Sequence, residues 1–210
     1  CETAAHCSAS IDCPSATDLC ACLLICSRCS ETALSNVASD RFYSKWLQDI
    51  IDIQGYPAHS QGVADPSGYV AHTAPTIAGG GGPAWSGFVI VMPWEVYLRS
   101  VDIELLRKAY GAQLKLMGFW RQSFNSSGVL TRWSTQDGDN YLGDHATPHG
   151  NEGSAGDEAA LLNNCYVLYC TRLMSNISKV LTPASFAFMF GRWCDMYINS
   201  SIVVVALAPC

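Results

Sequence analysis

The sequence predicts an all-α fold on three observations. Apolar residues recur at helical spacing in four separate stretches. Asp residues that can cap helices open three of these stretches. No stretch alternates apolar and polar residues as a half-buried strand would, so nothing supports a parallel sheet. The order is helix, long loop, helix, helix, long loop, helix. Antiparallel helices joined by long loops suggest a fold whose loops build a site.

Each element has its own reason. Asp40 is the expected N-cap of the first helix, with Tyr43, Trp46, Ile50 and Ile53 on its apolar face. Residues 54–84 read as a loop rich in Gly, Pro and Ser, and a loop of that length in a compact domain is functional or disordered. A helix carrying Trp94 follows, with Pro93 as a kink or a late start. Asp102 caps the strongest amphipathic stretch, in which Ile103, Leu106, Tyr110, Leu114, Met117 and Phe119 share a face. Residues 123–156 form a second long loop. Asp157 caps a last helix with Leu162, Cys165, Tyr169, Leu173, Ile177 and Val180 on one side, ended by Pro183. Residues 184–210 are apolar and read as helix, then strand.

Composition bounds the class. The chain has 210 residues, 49 % hydrophobic and 14 % charged, which suits one domain with a sizeable core. Net charge is −6 and the 12 Lys and Arg are scattered, so no basic face for nucleic acid forms. No apolar run reaches the roughly 18 residues of a membrane span. Residues Ile202 to Ala208 are apolar but too few. The first residues have neither a basic end nor an apolar middle, unlike a signal peptide. The absence of an initiator Met leads us to expect a processed chain or a fragment. Nothing sets a compartment.

Cysteine is unevenly placed. Of 11 cysteines, Cys1, Cys7, Cys13, Cys20, Cys22, Cys26 and Cys29 crowd the beginning, and none lies between Ser30 and Asn164. A secreted disulfide scaffold would spread them. Cys26 and Cys29 have zinc-ligand spacing, but no second such pair follows. Disulfides within the segment, or cysteines without a role, are the other readings.

Two stretches could carry chemistry. The loop from Gly143 to Glu152 gathers Asp144, His145, His149 and Glu152. Carboxylates and imidazoles of this kind bind vicinal sugar hydroxyls. His145, His149 and Glu152 could also hold a metal, although Pro148 and Gly150 oppose the helix that would align them; a solvated polar loop is the plain alternative. We expect no metal and no cofactor. The second stretch is the run Gly79 to Gly82, followed by Pro83-Ala84-Trp85 and Pro93-Trp94-Glu95. Glycines let backbone approach a ligand, and an aromatic face can stack on a sugar ring. Trp85 sits at the loop-to-helix junction, where stacking and packing are both open. Trp94 and Trp120, on helices, are expected to pack. Glu95 is either a buried hydrogen-bonding group or a solvated one. No nucleophile elbow, phosphate loop or dinucleotide fingerprint is present.

Several segments, in order, resemble the catalytic domain of the α-L-rhamnosidases of glycoside hydrolase family seventy-eight. They are Asp12-Cys13-Pro14, Phe42 to Ile50, Ala74-Pro75-Thr76 with the glycine run and Trp85, Pro93 to Arg99, Leu142 to Gly150, and Asn163-Asn164-Cys165-Tyr166 with Tyr169-Cys170. The resemblance implies an (α/α)6 barrel with its site in the loops, and inverting hydrolysis of terminal α-L-rhamnosides. Inversion needs two carboxylates ~6.5–9.5 Å apart, one protonating the leaving oxygen and one activating water. It also implies that Asp12, Trp85, Asp144, His145 and Glu152 face the sugar cleft, and that a rhamnose-containing glycoside is the partner. At about 11–12 residues per helix, 210 residues supply about half of the toroid. An incomplete barrel leaves apolar helix faces such as Leu162–Leu173 open, so self-association is expected.

The resemblance breaks where the family's general acid should stand. There the family has Asp-Cys-Pro-x-Arg-acidic and then Gly-Trp-x-Gly-Asp. Here Ser15-Ala16-Thr17 follows Pro14, and the second motif is absent. A threonine hydroxyl does not give up a proton near neutral pH. Asp18 is one position away. The general base is not identified, so no catalytic residue is named and the chain is expected to be inactive. A frameshift would explain both the lost motif and the cysteine crowding: CAG-CGC-GAC read one base later gives AGC-GCG-AC, which is Ser-Ala-Thr. On this reading 1–39 is a divergent, cysteine-rich segment, 40–181 is the rhamnosidase-like region, and 182–210 is a divergent apolar tail. The contrasting expectation is a non-catalytic, cysteine-stabilised exported module, which sequons at Asn125, Asn176 and Asn199 would allow.

Overall fold

The chain was analysed as a computed structural model, which describes residues 34–55, 64–75, 82–131 and 157–181, together with Thr32 and Ile77. The elements are α1 (Asp40–Ile53), a 3-10 turn (Pro66–Gly68), α2 (Pro83–Ser86), α3 (Phe88–Ser100), α4 (Ile103–Arg121) and α5 (Asp157–Leu181). Among the described residues there is no β-strand; an isolated antiparallel bridge pairs Phe124 with Leu130. The all-α expectation holds.

Helix α1 buries Tyr43, Trp46, Leu47 and Ile50, one stripe at helical spacing. Ser39, not Asp40, is its N-cap; Asp40 lies in the first turn, where its charge suits the positive end of the helix dipole. The Trp46 ring lies 4.8 Å from Phe88 and fixes α1 against α3. Helix α4 is central, packing against α1, α3, α5 and the 3-10 turn. Its cap is as expected: the Asp102 carboxylate accepts from the Glu104 N–H at 2.9 Å.

The apolar faces of α4 and α5 differ from the expected ones. On α4, Leu105, Leu106, Ala109, Ala112, Gln113, Leu116, Met117, Phe119 and Trp120 are buried, whereas Leu114 is exposed. A helix enclosed by several neighbours buries more than one stripe. On α5 the core face is Asn163, Val167, Cys170, Met174 and Ile177, while Cys165 and Tyr169 point outward. Leu162 is half-buried and Leu173 is buried, so neither makes an open face; Leu161 (52 %) and Tyr169 (41 %) do. Asn163 and Asn164 cause this offset. Both are polar yet buried, because each side chain is taken up by backbone elsewhere.

Of the two readings open to Pro93, a late start does not hold, because the residue lies inside the helix. Helix α3 begins at Phe88 and runs through Pro93 to Ser100. A proline inside a helix leaves the carbonyl four residues earlier without its N–H. That carbonyl belongs to Val89, and Gln113 of α4 donates to it through Nε2 at 3.1 Å. Gln113 is fully buried, and its Oε1 has no partner. One amide from the neighbouring helix thus replaces the bond that proline removes.

The loop expected over 54–84 is in part core. Tyr69, Val70, Ala71, His72, Thr73 and Ala74 are all buried. Gly68 makes this possible: a Cβ there would lie 1.9 Å from the Lys115 carbonyl oxygen and 2.8 Å from Phe119 Cβ. Only glycine lets the 3-10 turn rest its backbone directly on α4. The end of the buried segment is held by Trp46, whose Nε1 donates to the Ala74 carbonyl at 3.1 Å; the Ala74–Pro75 peptide is cis.

Candidate functional site

The glycine run leads into α2, and α2 holds Trp85. Gly82 caps this short helix at φ −70°, ψ 132°, values open to any residue. Pro83 follows at the first helical position, where its missing N–H costs nothing. The Ala84 N–H would otherwise be an orphan donor; Asn163 Oδ1 of α5 accepts it at 3.2 Å. Ser86 Oγ donates to the Gly82 carbonyl at 2.8 Å and accepts from Trp120 Nε1 at 3.3 Å. Gly87 then turns the chain into α3. A Cβ at Gly87 would meet the Pro83 carbonyl oxygen at 2.7 Å, Tyr166 at 2.8 Å and Cys170 Sγ at 2.9 Å. Residues from α4 and α5 therefore fix the helix that carries Trp85.

Trp85 is 1 % exposed, and its ring sits 5.2 Å from that of His72 at an interplanar angle of 40°. Of the two roles open to Trp85 in the sequence, packing describes its state here, and His72 lies against the ring. Trp120 is buried, as expected. Trp94 is only half-buried and pairs with Tyr97 at 5.5 Å; Glu95 beside it is also half-buried. Asp12, Asp144, His145 and Glu152 lie outside the described residues, as do Ser15 to Thr17, Trp133, His149 and the cysteine cluster.

The sequence reading missed His72. Its ring is 4 % exposed and Nε2 has no hydrogen-bond partner. Burial lowers its pKa from 6.5 to about 4, so the imidazole is neutral. A lone histidine in Tyr69-Val70-Ala71-His72-Thr73-Ala74 was the available signal. Cys165 and Cys170 are free thiols, and burial pushes that of Cys170 well above its ordinary value. Among the described residues, no three His, Cys, Asp or Glu side chains gather as metal ligands would.

Asn164 holds the first part of the second loop. Its Oδ1 accepts from the Leu130 N–H at 3.0 Å, and its Nδ2 donates to the Leu130 carbonyl at 3.2 Å. The Asn163-Asn164 pair thus ties α5 to α2 on one side of the α3–α4 hairpin and to Leu130 on the other.

Residues 6–193 match the family model described as the bacterial alpha-L-rhamnosidase 6 hairpin glycosidase domain. No curated protein matches. Among solved structures, an α-L-rhamnosidase from Dictyoglumus thermophilum superposes with a TM-score of 0.69 at 21 % identity, over 85 % of this chain and 18 % of that one. The native enzyme from Aspergillus terreus gives 0.65 at 21 %, over 84 % of this chain and 20 % of that one. The Streptomyces avermitilis enzyme, solved with L-rhamnose, gives 0.62 at 18 %, over 83 % and 15 %. The chain therefore spans a fifth or less of the length of these structures, and the shared property is the fold: a partial α/α toroid.

Proposed function

Because the chain belongs to the bacterial α-L-rhamnosidase six-hairpin glycosidase domain family, we propose that it keeps one wall of a rhamnoside-binding cleft and lacks the group that cleaves the glycoside. The observation that carries this is Ser15-Ala16-Thr17 directly after Asp12-Cys13-Pro14, where the resemblance requires an arginine and a carboxylic acid. Without a proton donor beside the leaving oxygen, inversion loses its general acid, a contribution of about 10²–10⁴ in rate. The Asp12 carboxylate and the loop residues Asp144, His145 and Glu152 remain able to accept hydrogen bonds from sugar hydroxyls. Trp85 belongs to that wall as a buried support, held by Asn163 through α2.

Two measurements separate binding from catalysis. Saturation-transfer NMR with L-rhamnose is expected to show contact with the protein. Incubation with an aryl α-L-rhamnoside is expected to release no phenol above buffer. Enzyme-dependent release with an inverted product would sink the claim that the acid is missing, and no contact at all would sink the cleft.

Self-association remains part of this reading. Leu161, Tyr169, Leu98 and Val101 are exposed apolar side chains on α5 and at the end of α3. Sedimentation velocity should show species larger than one chain; a monodisperse monomer would count against it. The divergence of 15–39 and 182–210 by frameshift also stays a proposal, tested by whether the alternative reading frame encodes Gly-Trp-x-Gly-Asp.

A further inference from the structure

The segment from Tyr69 to Ala74 is buried but belongs to no helix. Bonds near its two ends tie it to α1 and to the turn that follows it: Gly55 N–H to the Tyr69 carbonyl at 2.9 Å, and Trp46 Nε1 to the Ala74 carbonyl at 3.1 Å. Between these ties stands His72, packed on Trp85, with Nε2 buried and unpartnered. A neutral imidazole in such a place costs one unmade hydrogen bond; an imidazolium would add an unpaired buried charge. Among the described residues, none of the charged side chains of the elements around it, Arg41, Lys45, Asp49 and Asp52 of α1 or Lys115 and Arg121 of α4, acts on the His72 ring. Helix α2 carries no titratable side chain. The other titratable group of the segment, Tyr69, packs on Phe119 of α4 at 5.9 Å. Burial is the cause that acts on the His72 ring.

We propose that His72 is an acid-sensitive latch: its neutral ring, packed on Trp85, keeps residues 69–74 in the core, and its protonation releases that segment while the helices stay folded. Release uncovers the Trp85 face that His72 occupies. The direction follows from proton linkage. The closed form holds His72 at about 4, and the open form returns it to about 6.5. Between these values the open form binds more protons. Closure is therefore fully favoured above pH 6.5 and weakens as pH falls towards 4. From pH 7 to pH 5 the opening constant of the segment rises roughly 20-fold.

Amide hydrogen exchange of the whole chain, read by mass spectrometry and corrected for intrinsic rates, tests the latch without any ligand. The peptide covering 69–75 should lose protection roughly 20-fold between pH 7 and pH 5, while peptides of α4 keep theirs. In His72→Phe, and in His72→Gln if the first variant folds poorly, the pH dependence should vanish. Loss of protection in step with α4 would mean global unfolding and overturn the latch. A flat wild-type profile, or a pH dependence that survives both substitutions, would overturn it equally.

Discussion

Pro93 and Gln113 should be energetically coupled, although they sit on different helices. Pro93 deprives the buried Val89 carbonyl of its helical donor, and Gln113 Nε2 supplies another at 3.1 Å. Replacing Gln113 by Leu leaves that carbonyl unsatisfied, at about 1–3 kcal/mol. The same change removes the Gln113 Oε1, which has no partner, so the net cost falls towards the lower half of that range. Pro93→Ala restores an N–H able to reach the Val89 carbonyl and makes the glutamine redundant. In the Pro93→Ala background, Gln113→Leu should therefore cost little. The double-mutant cycle should show a coupling of about 1 kcal/mol or more. Urea titration followed by circular dichroism gives each corner, with m-values expected to stay constant. The loss of proline rigidity in the unfolded chain enters both legs and cancels. Costs that add to within ~0.3–0.5 kcal/mol would refute the idea that Gln113 stands in for the missing N–H.

Two further substitutions probe the supports of the site. Val101 follows α3 at φ 57°, ψ 15° and is 75 % exposed, so a β-branched side chain bears a left-handed conformation and loses little contact if removed. Val101→Gly should raise stability by about 1 kcal/mol, read as a higher urea midpoint; a lower one would show that Val101 packs in a way its exposure does not suggest. Asn164→Ala strips both partners from the buried Leu130 peptide groups and should cost about 2–4 kcal/mol, with exchange at Leu130 accelerated more than in α1. An unchanged midpoint would mean that water replaces the amide at no loss.

Helix α1, the Asp102 cap and the buried Trp120 were legible because each depends on residues within a few turns of one another. The candidate site was less so. The sequence pointed to Trp85 but left its role open between stacking and packing, and it gave no reason to expect His72 against the ring. The expected carboxylates lie on other segments, so the sequence could name them but not bring them together. The faces of α4 and α5 were misjudged because the pattern counts apolar residues, and the offset comes from buried polar ones: Gln113, Asn163 and Asn164.

By itself the sequence determined the all-α class and the family, because helical periodicity and motif order are properties of the chain as written. Tertiary structure decided which faces are buried, that 69–74 enters the core, and that Trp85 rests on His72. The physical reason is the reach of the bonds involved. Gln113 and Val89 are 24 residues apart, Asn164 and Leu130 34, and Asn163 and Ala84 79. A polar side chain becomes a core residue only when a distant backbone group arrives to pair with it, and no local pattern announces that arrival.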